Sequence, residues 1–275
     1  MPRLSILAVA GALVSGAAGA QPAAPATAAA GASAWRALDP ASTLVVDTNK
    51  GRIVVEMHPE FAPRAVERII LLAREHVYDG LLFHRVIDHF VDQTGNPNNH
   101  DGGVSRHPNL APEFLFGLPP RGMDVVATRR SDGISGFIGS VPVAAVPAHG
   151  KAGVYHAWGA YCAGVAGMGR QAAPGSANSE IFFMRDPSRS LDHGYTVWGR
   201  VVQGLDVVRA ITVGEPPPNP DRMVKVQLMA DMAEADRPKL QVMDTKSQAF
   251  AEKIHEARVR LGADFSICDL DVPVR

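Results

Sequence analysis

Phe83-His84-Arg85-Val86-Ile87-Asp88-His89-Phe90-Val91-Asp92-Gln93 sets a permanent cation, Arg85, among aromatic and apolar neighbours and follows it with a neutral amide, Gln93. Arginine stays protonated at any working pH and presents several donors in a fixed plane. A second informative block is Ser176-Ala177-Asn178-Ser179-Glu180-Ile181-Phe182-Phe183, followed by Leu191-Asp192 and Tyr195-Thr196-Val197-Trp198-Gly199-Arg200-Val201-Val202. On a strand, Glu180 and Phe182 are two apart and share a face, so a polar group and a ring wall point toward one site.

Together the two blocks resemble the signature of the cyclophilin-type peptidyl-prolyl cis-trans isomerases, over residues 43 to 230. The family pattern reads Phe-His-Arg, a short link, then Phe, an apolar residue, any residue and Gln. Phe83, His84, Arg85, Phe90, Val91 and Gln93 fall at those positions. The resemblance implies a mainly β fold, a closed eight-stranded antiparallel barrel with two capping helices. It also implies isomerisation of X-Pro bonds in proline-containing polypeptides, with no cofactor and no metal. Arg85, Phe90 and Gln93 take the catalytic positions, and Val91, Met168, Gly169, Arg170, Glu180, Phe182, Leu191 and Tyr195 the substrate cup.

The chemistry suits those residue types. Rotation about a peptide bond faces a barrier of about 18–20 kcal/mol because the nitrogen lone pair is shared with the carbonyl. A desolvated donor aimed at the prolyl nitrogen favours the twisted state over the planar one, which is what a catalyst must do.

The second block departs from the family pattern. Glu180 stands at a usual glutamine when Phe182 is taken as the pocket ring; a shift by one would make Ile181 and Phe183 the matches. Gly169-Arg170 replaces the usual Ala-Asn, Tyr195 stands where many members carry His, and Ser190 where cyclosporin-binding members carry Trp. A carboxylate at 180 leaves two readings of Arg85 open, aimed at a prolyl nitrogen or held by Glu180, and the second is that of a proline-segment binding module with little turnover.

Residues 1–20 carry Arg3, an uncharged apolar run from Leu4 to Val14 and a small-residue end, Ala18-Gly19-Ala20, the pattern of a secretory signal peptide. That run is too short to span a bilayer as a helix. A periplasmic destination is expected, with an Ala- and Pro-rich linker over 21–40, the main domain over 41–232 and a C-terminal extension over 233–275. Without the first 20 residues the chain holds 26 basic and 28 acidic side chains. Such near-neutrality argues against nucleic acid, which asks for a basic stripe; a monomer is expected. In an exported chain Cys162 and Cys268 permit one disulfide, two buried thiols being the alternative.

Thr43–Thr48 and Arg52–Met57 read as a hairpin turning at Asn49-Lys50-Gly51. The 62–77 segment reads as a helix with Pro63 in its first turn and an apolar face of Val66, Ile69, Ile70, Ala73 and Val77. Short strands are expected around 83–86, 90–94, 124–128, 161–168, 180–184, 196–202 and 222–229, and a second helix over 205–211. The Gly-, Val- and Pro-rich 129–160 stretch is expected to be a long loop or extra hairpin. Asp244–Leu261 reads as an amphipathic helix capped by Asp244, stopped by Gly262, with Phe250, Ile254 and Val259 inward.

His84 and His89 match no metal-ligand spacing, so His84 reads as a core histidine. Gly164, Gly167 and Gly169 lack the ending of a phosphate loop, and neither Ser135 nor Ser176 lies in Gly-x-Ser-x-Gly.

Overall fold

A computed structural model describes residues 33–118, 123–129, 133–149 and 154–275. The expected signal peptide and most of the expected linker lie outside these residues. The linker's last part does not: Trp35–Ala37 forms β1, antiparallel to Gln241–Met243 near the other end of the chain. Composition had placed this segment in the linker. Burial explains the difference, since Leu38 is buried and Arg36 pairs with the nearly buried Glu56.

The hairpin forms as expected, β2 (Thr43–Thr48) pairing with β3 (Gly51–Met57). Thr48 ties the turn by accepting from the amides of Lys50 and Gly51 at 3.0 and 3.1 Å. Helix α1 (Pro63–Arg74) buries Val66, Ile69, Leu72 and Ala73, and leaves Val77 just beyond its end. Its first turn is capped from afar, the Glu113 carboxylate accepting from the amides of Arg64 and Ala65 at 3.1 and 3.0 Å. An acceptor there satisfies amides that the helix itself leaves open and meets the positive end of its dipole.

After α1 come β4 (Arg85–Ile87), β5 (Val91–Thr94), β6 (Phe116–Leu118), β7 (Asp124–Arg129), β8 (Gly133–Ile138), β9 (Val141–Pro147), β10 (Tyr155–Gly159), β11 (Val165–Met168), β12 (Ile181–Met184) and β13 (Val197–Gln203). The chain continues with α2 (Leu205–Ala210), β14 (Met223–Leu228), β15 (Gln241–Met243) and α3 (Gln248–Leu261). Eight strands form one antiparallel sheet in the order β14-β2-β3-β13-β11-β12-β5-β4. The expected closed barrel is thereby corrected to an open, strongly curled sheet. Its two edges approach at a single bridge, Leu82 to Arg222, with Phe83 N–H donating to Asp221 O at 2.9 Å and Met223 N–H to Leu81 O at 2.9 Å.

Of the loop or extra hairpin expected at 129–160, the hairpin forms, β8 pairing with β9, and it is part of a second sheet, β6-β10-β9-β8-β7. Val141, Val143, Ala145 and Ala157 are buried in the same hydrophobic core as the eight-stranded sheet, so these small and β-branched residues have a packed face to cover. Gly-rich composition had hidden them as strands. Two details of α3 also change. Ser247 caps it, accepting from Phe250 N–H at 3.2 Å, whereas Asp244 accepts from Lys246 N–H one turn earlier. Phe250 is buried, but Val259 is 72% exposed and Ala257 faces inward in its place.

The two cysteines form a disulfide, Cys162 to Cys268, with Cα atoms 5.0 Å apart across 106 residues of sequence. It ties the C-terminal extension to the segment entering β11. Cross-links over loops this long restrict the unfolded chain most. The Cys162→Ser/Cys268→Ser double variant should lose about 2–5 kcal/mol in urea unfolding and keep its fold. An unchanged urea midpoint would show that the bond does not stabilise the chain.

Candidate active site

Arg85 opens β4 directly opposite Gln93 on β5, and Gln93 is in turn opposite Phe182 on β12. Three adjacent strands therefore place a cation, an amide and a ring side by side. The Arg85 side chain is 29% exposed; Nη1 donates to Gln93 Oε1, and Nε donates to Glu215 Oε2 at 2.7 Å. Nη2 has no hydrogen-bond partner among the described residues. Gln93 Nε2 donates to Glu180 Oε1 at 2.9 Å, and Glu180 Oε2 accepts from Asn96 Nδ2 at 2.5 Å.

Of the two open readings of Arg85, a direct pair with Glu180 is not the one that forms. Glu180 is buried and reaches Arg85 only through Gln93, while the direct anionic partner is Glu215, absent from the sequence reading. A carboxylate only accepts, so Glu180 dictates that the amide NH2 of Gln93 turns toward it and the amide oxygen toward Arg85. Glu215 arrives through the fold. Val86 and Gly214 exchange backbone hydrogen bonds at 2.8 and 2.9 Å, which sets residue 215 beside residue 85. Arg185 steadies the start of that loop by donating to the α2 carbonyls of Val208, Arg209 and Ile211 while paired to Asp92 at 2.9 Å. Burial nevertheless pushes the Asp92 carboxyl up to about 7.

Glycines on β11 and just beyond make the floor. A Cβ at Gly169 would collide with the Glu180 carboxylate, and a Cβ at Gly167 with the Phe182 ring. Glu180 and Phe182 thus lie over the same face two residues apart. Ile181 and Phe183 point into the core, Phe183 meeting Trp198 edge-on at 6.1 Å, so the one-residue shift is not the face that meets Gln93. Gly169 in place of alanine has a reason here, the room taken by Glu180.

Phe182 stacks on Tyr161 and meets Tyr195 edge-on, each at 5.8 Å between ring centres. Arg170 lies 4.5 Å over the Tyr195 ring and donates to Gly194 O at 2.8 Å, so it holds Tyr195 in place. Met168 is buried beneath, paired with Ile181. Val91 is buried opposite Met184, while Phe90, at the turn between β4 and β5, and Leu191 are half-buried against the core. The structure thus gathers Arg85, Gln93, Glu180, Gly169, Phe182, Tyr195 and Arg170 directly. Glu215, Asn96 and Tyr161 were missed by sequence reasoning, because none lies in a recognisable local pattern.

The family model described as cyclophilin type peptidyl-prolyl cis-trans isomerase/CLD matches residues 43–229. A probable peptidyl-prolyl cis-trans isomerase of Brucella suis is 32% identical over 200 residues, covering 71% of this chain and 86% of its own. The isomerase ppi1 of Schizosaccharomyces pombe is 29% identical over 164 residues, covering 60% and 81%. Among solved structures, cyclophilin AquaCyp293 from Hirschia baltica superposes with a TM-score of 0.79 at 32% identity, covering 88% of this chain and 92% of that one.

The contact between Gly169 and Glu180 makes a testable pair. Gly169→Ala should cost about 1–3 kcal/mol through overpacking. In a Glu180→Ala background the same change should cost clearly less, a coupling of about 0.5–3 kcal/mol in a double-mutant cycle of unfolding free energies. Strict additivity would mean that the two residues do not share this space.

Proposed function

The chain belongs to the cyclophilin-type peptidyl-prolyl cis-trans isomerases, and from that premise we propose that Arg85 supplies the donor that weakens the X-Pro bond. The observation that carries this is the hydrogen-bonded line Glu215, Arg85, Gln93, Glu180. Glu215 and Gln93 take one hydrogen each from Nε and Nη1, which pins the guanidinium plane and leaves Nη2 to donate. As the bond twists, the prolyl nitrogen becomes pyramidal and its lone pair localises. A hydrogen bond from Arg85 then strengthens, whereas the planar ground state offers little to accept it. Phe182, with Tyr195, Phe90, Val91 and Leu191, supplies the apolar cup for the proline ring, and Met168, opposite the core-facing Ile181, packs beneath it. Glu180 acts at one remove, fixing the Gln93 amide that positions Arg85.

The substrates we propose are proline-containing segments of unfolded or flexible exported proteins, whose folding the enzyme assists as a monomer. Support comes from the signal-peptide pattern of residues 1–20 and from the disulfide, a bond that persists in oxidising compartments. The near-neutral charge supports polypeptide and not nucleic acid as partner. Among the described residues no helix is long and apolar enough to cross a membrane. Cell fractionation of a bacterium expressing the whole chain should place it in the periplasmic fraction, and retention in the cytosol would overturn the export reading.

A charged hydrogen bond contributes about 1.5–3 kcal/mol, so Arg85→Ala should lower kcat/KM on an X-Pro peptide roughly 10- to 150-fold in a protease-coupled assay. Unchanged turnover in that variant would remove Arg85 from the mechanism. The ion pair with Glu215 favours a second reading, a binding module whose cation is held by its own chain. Wild type that binds the peptide without accelerating its exchange would select that reading.

A further inference from the structure

His84 lies beside Arg85, yet its side chain points the other way in chemical terms. The imidazole is 2% exposed, and neither ring nitrogen has a hydrogen-bond partner among the described residues. A core histidine ordinarily satisfies at least one nitrogen, so burial alone does not explain it. Its Nε2 lies 3.3 Å from Asp101 Oδ1 and 3.6 Å from Glu180 Oε2. One ligand atom from each of the three residues falls within 4.8 Å of the others.

The two distances from His84 Nε2 are the ones ligands keep around a small divalent ion. With metal bonds of about 2.0–2.2 Å, two ligands of a tetrahedral centre stand about 3.4 Å apart. One imidazole and two carboxylates form a donor set that suits zinc and its neighbours in the transition series. Their two negative charges match a divalent cation. Apart from this arrangement, the buried Glu180 carboxylate has only neutral amide donors, Gln93 and Asn96, within hydrogen-bond distance. His84 and Asp101 also line a cavity of about 380 Å³, with Arg85, His100, Glu215 and Pro216, which gives solvent or a ligand access to this side of the cluster.

We propose that His84 Nε2, Asp101 Oδ1 and Glu180 Oε2 bind one zinc-class divalent cation next to the isomerase site. The ion shares Glu180 with Gln93 and so stands two hydrogen bonds from Arg85. This site goes beyond the isomerase reading and does not depend on it. No sequence motif announces it, because its ligands come from three segments: the approach to β4, the loop after β5 and the approach to β12.

The test is calorimetric titration of the metal-stripped chain with Zn²⁺, backed by the visible absorption of the Co²⁺ form. Wild type should take up one ion per chain, with a four-coordinate Co²⁺ spectrum. His84→Asn and Asp101→Asn should each weaken binding by more than the roughly 10–100-fold that loss of an outer partner costs. Circular dichroism checks that the variants fold. The Asp101 side chain is 67% exposed, so Asp101→Asn decides the matter even if His84→Asn does not fold. Absence of saturable binding in wild type, or wild-type affinity in either folded variant, overturns the proposal.

Discussion

A carboxylate can only accept hydrogen bonds, and the buried Glu180 imposes that constraint on everything around it. It turns the Gln93 amide so that nitrogen faces Glu180 and oxygen faces Arg85. Arg85, bound on its other side by Glu215, is then fixed in a plane across the cup. Gly169 and Gly167 leave the space in which Glu180 and Phe182 lie, and Asn96 takes the second carboxylate oxygen. Exchanging the acceptor at 180 for an amide, as the family pattern has it, would loosen the orientation of Gln93.

The surrounding fold holds this line at fixed spacing. Pairing of β4 with β5 and of β5 with β12 sets Arg85, Gln93 and Phe182 abreast. The bridge from Val86 to Gly214 brings in Glu215, and Arg185 anchors the end of α2 from which that loop departs. Ion pairs this well buried are costly unless their remaining polar atoms are met; carbonyls at the end of α2 meet Nη1 and Nη2 of Arg185, whereas Arg185 Nε and Asp92 Oδ2 are buried without a hydrogen-bond partner among the described residues. The second sheet reaches the rim of the cup, where Trp158 of β10 donates to Asp192 Oδ2 at 2.9 Å and packs on His193 between Leu191 and Tyr195, while the N-terminal strand and α3 elaborate the domain further. The disulfide and the pairing of β1 with β15 bind them to it.

Hairpins, helices and strand positions were largely legible because the periodicity of buried side chains is local. Thr43–Thr48 and Arg52–Met57 are β-branched-rich, largely buried runs on either side of a turn whose residues tolerate positive φ, and Pro63 starts a helix with one apolar stripe. The second sheet was legible only in part, as the strand at 124–128 and as a loop or hairpin after it: Ala, Gly and Pro make up half of 133–148, and such residues form strands only where neighbouring strands bury them. The cap of α3 failed by one turn for a similar reason, since both Asp244 and Ser247 are good caps and tertiary packing chose between them. The linker estimate ran too far because pairing between positions 35–37 and 241–243 leaves no trace in local composition.

Sequence by itself determined the family, the donor, the amide and the ring wall, since Phe83 to Gln93 and Glu180 to Tyr195 carry them in order. It also determined that residue 180 is a carboxylate. Only the tertiary structure decided what that carboxylate touches. Glu180 lies 95 positions from Arg85 and Glu215 lies 130 away, and which of them pairs with the guanidinium depends on strand register and on one bridge near Gly214. Coulomb attraction would serve either pairing; the curled sheet supplies Glu215 to Arg85 and leaves Glu180 to Gln93, Asn96 and the neighbourhood of His84.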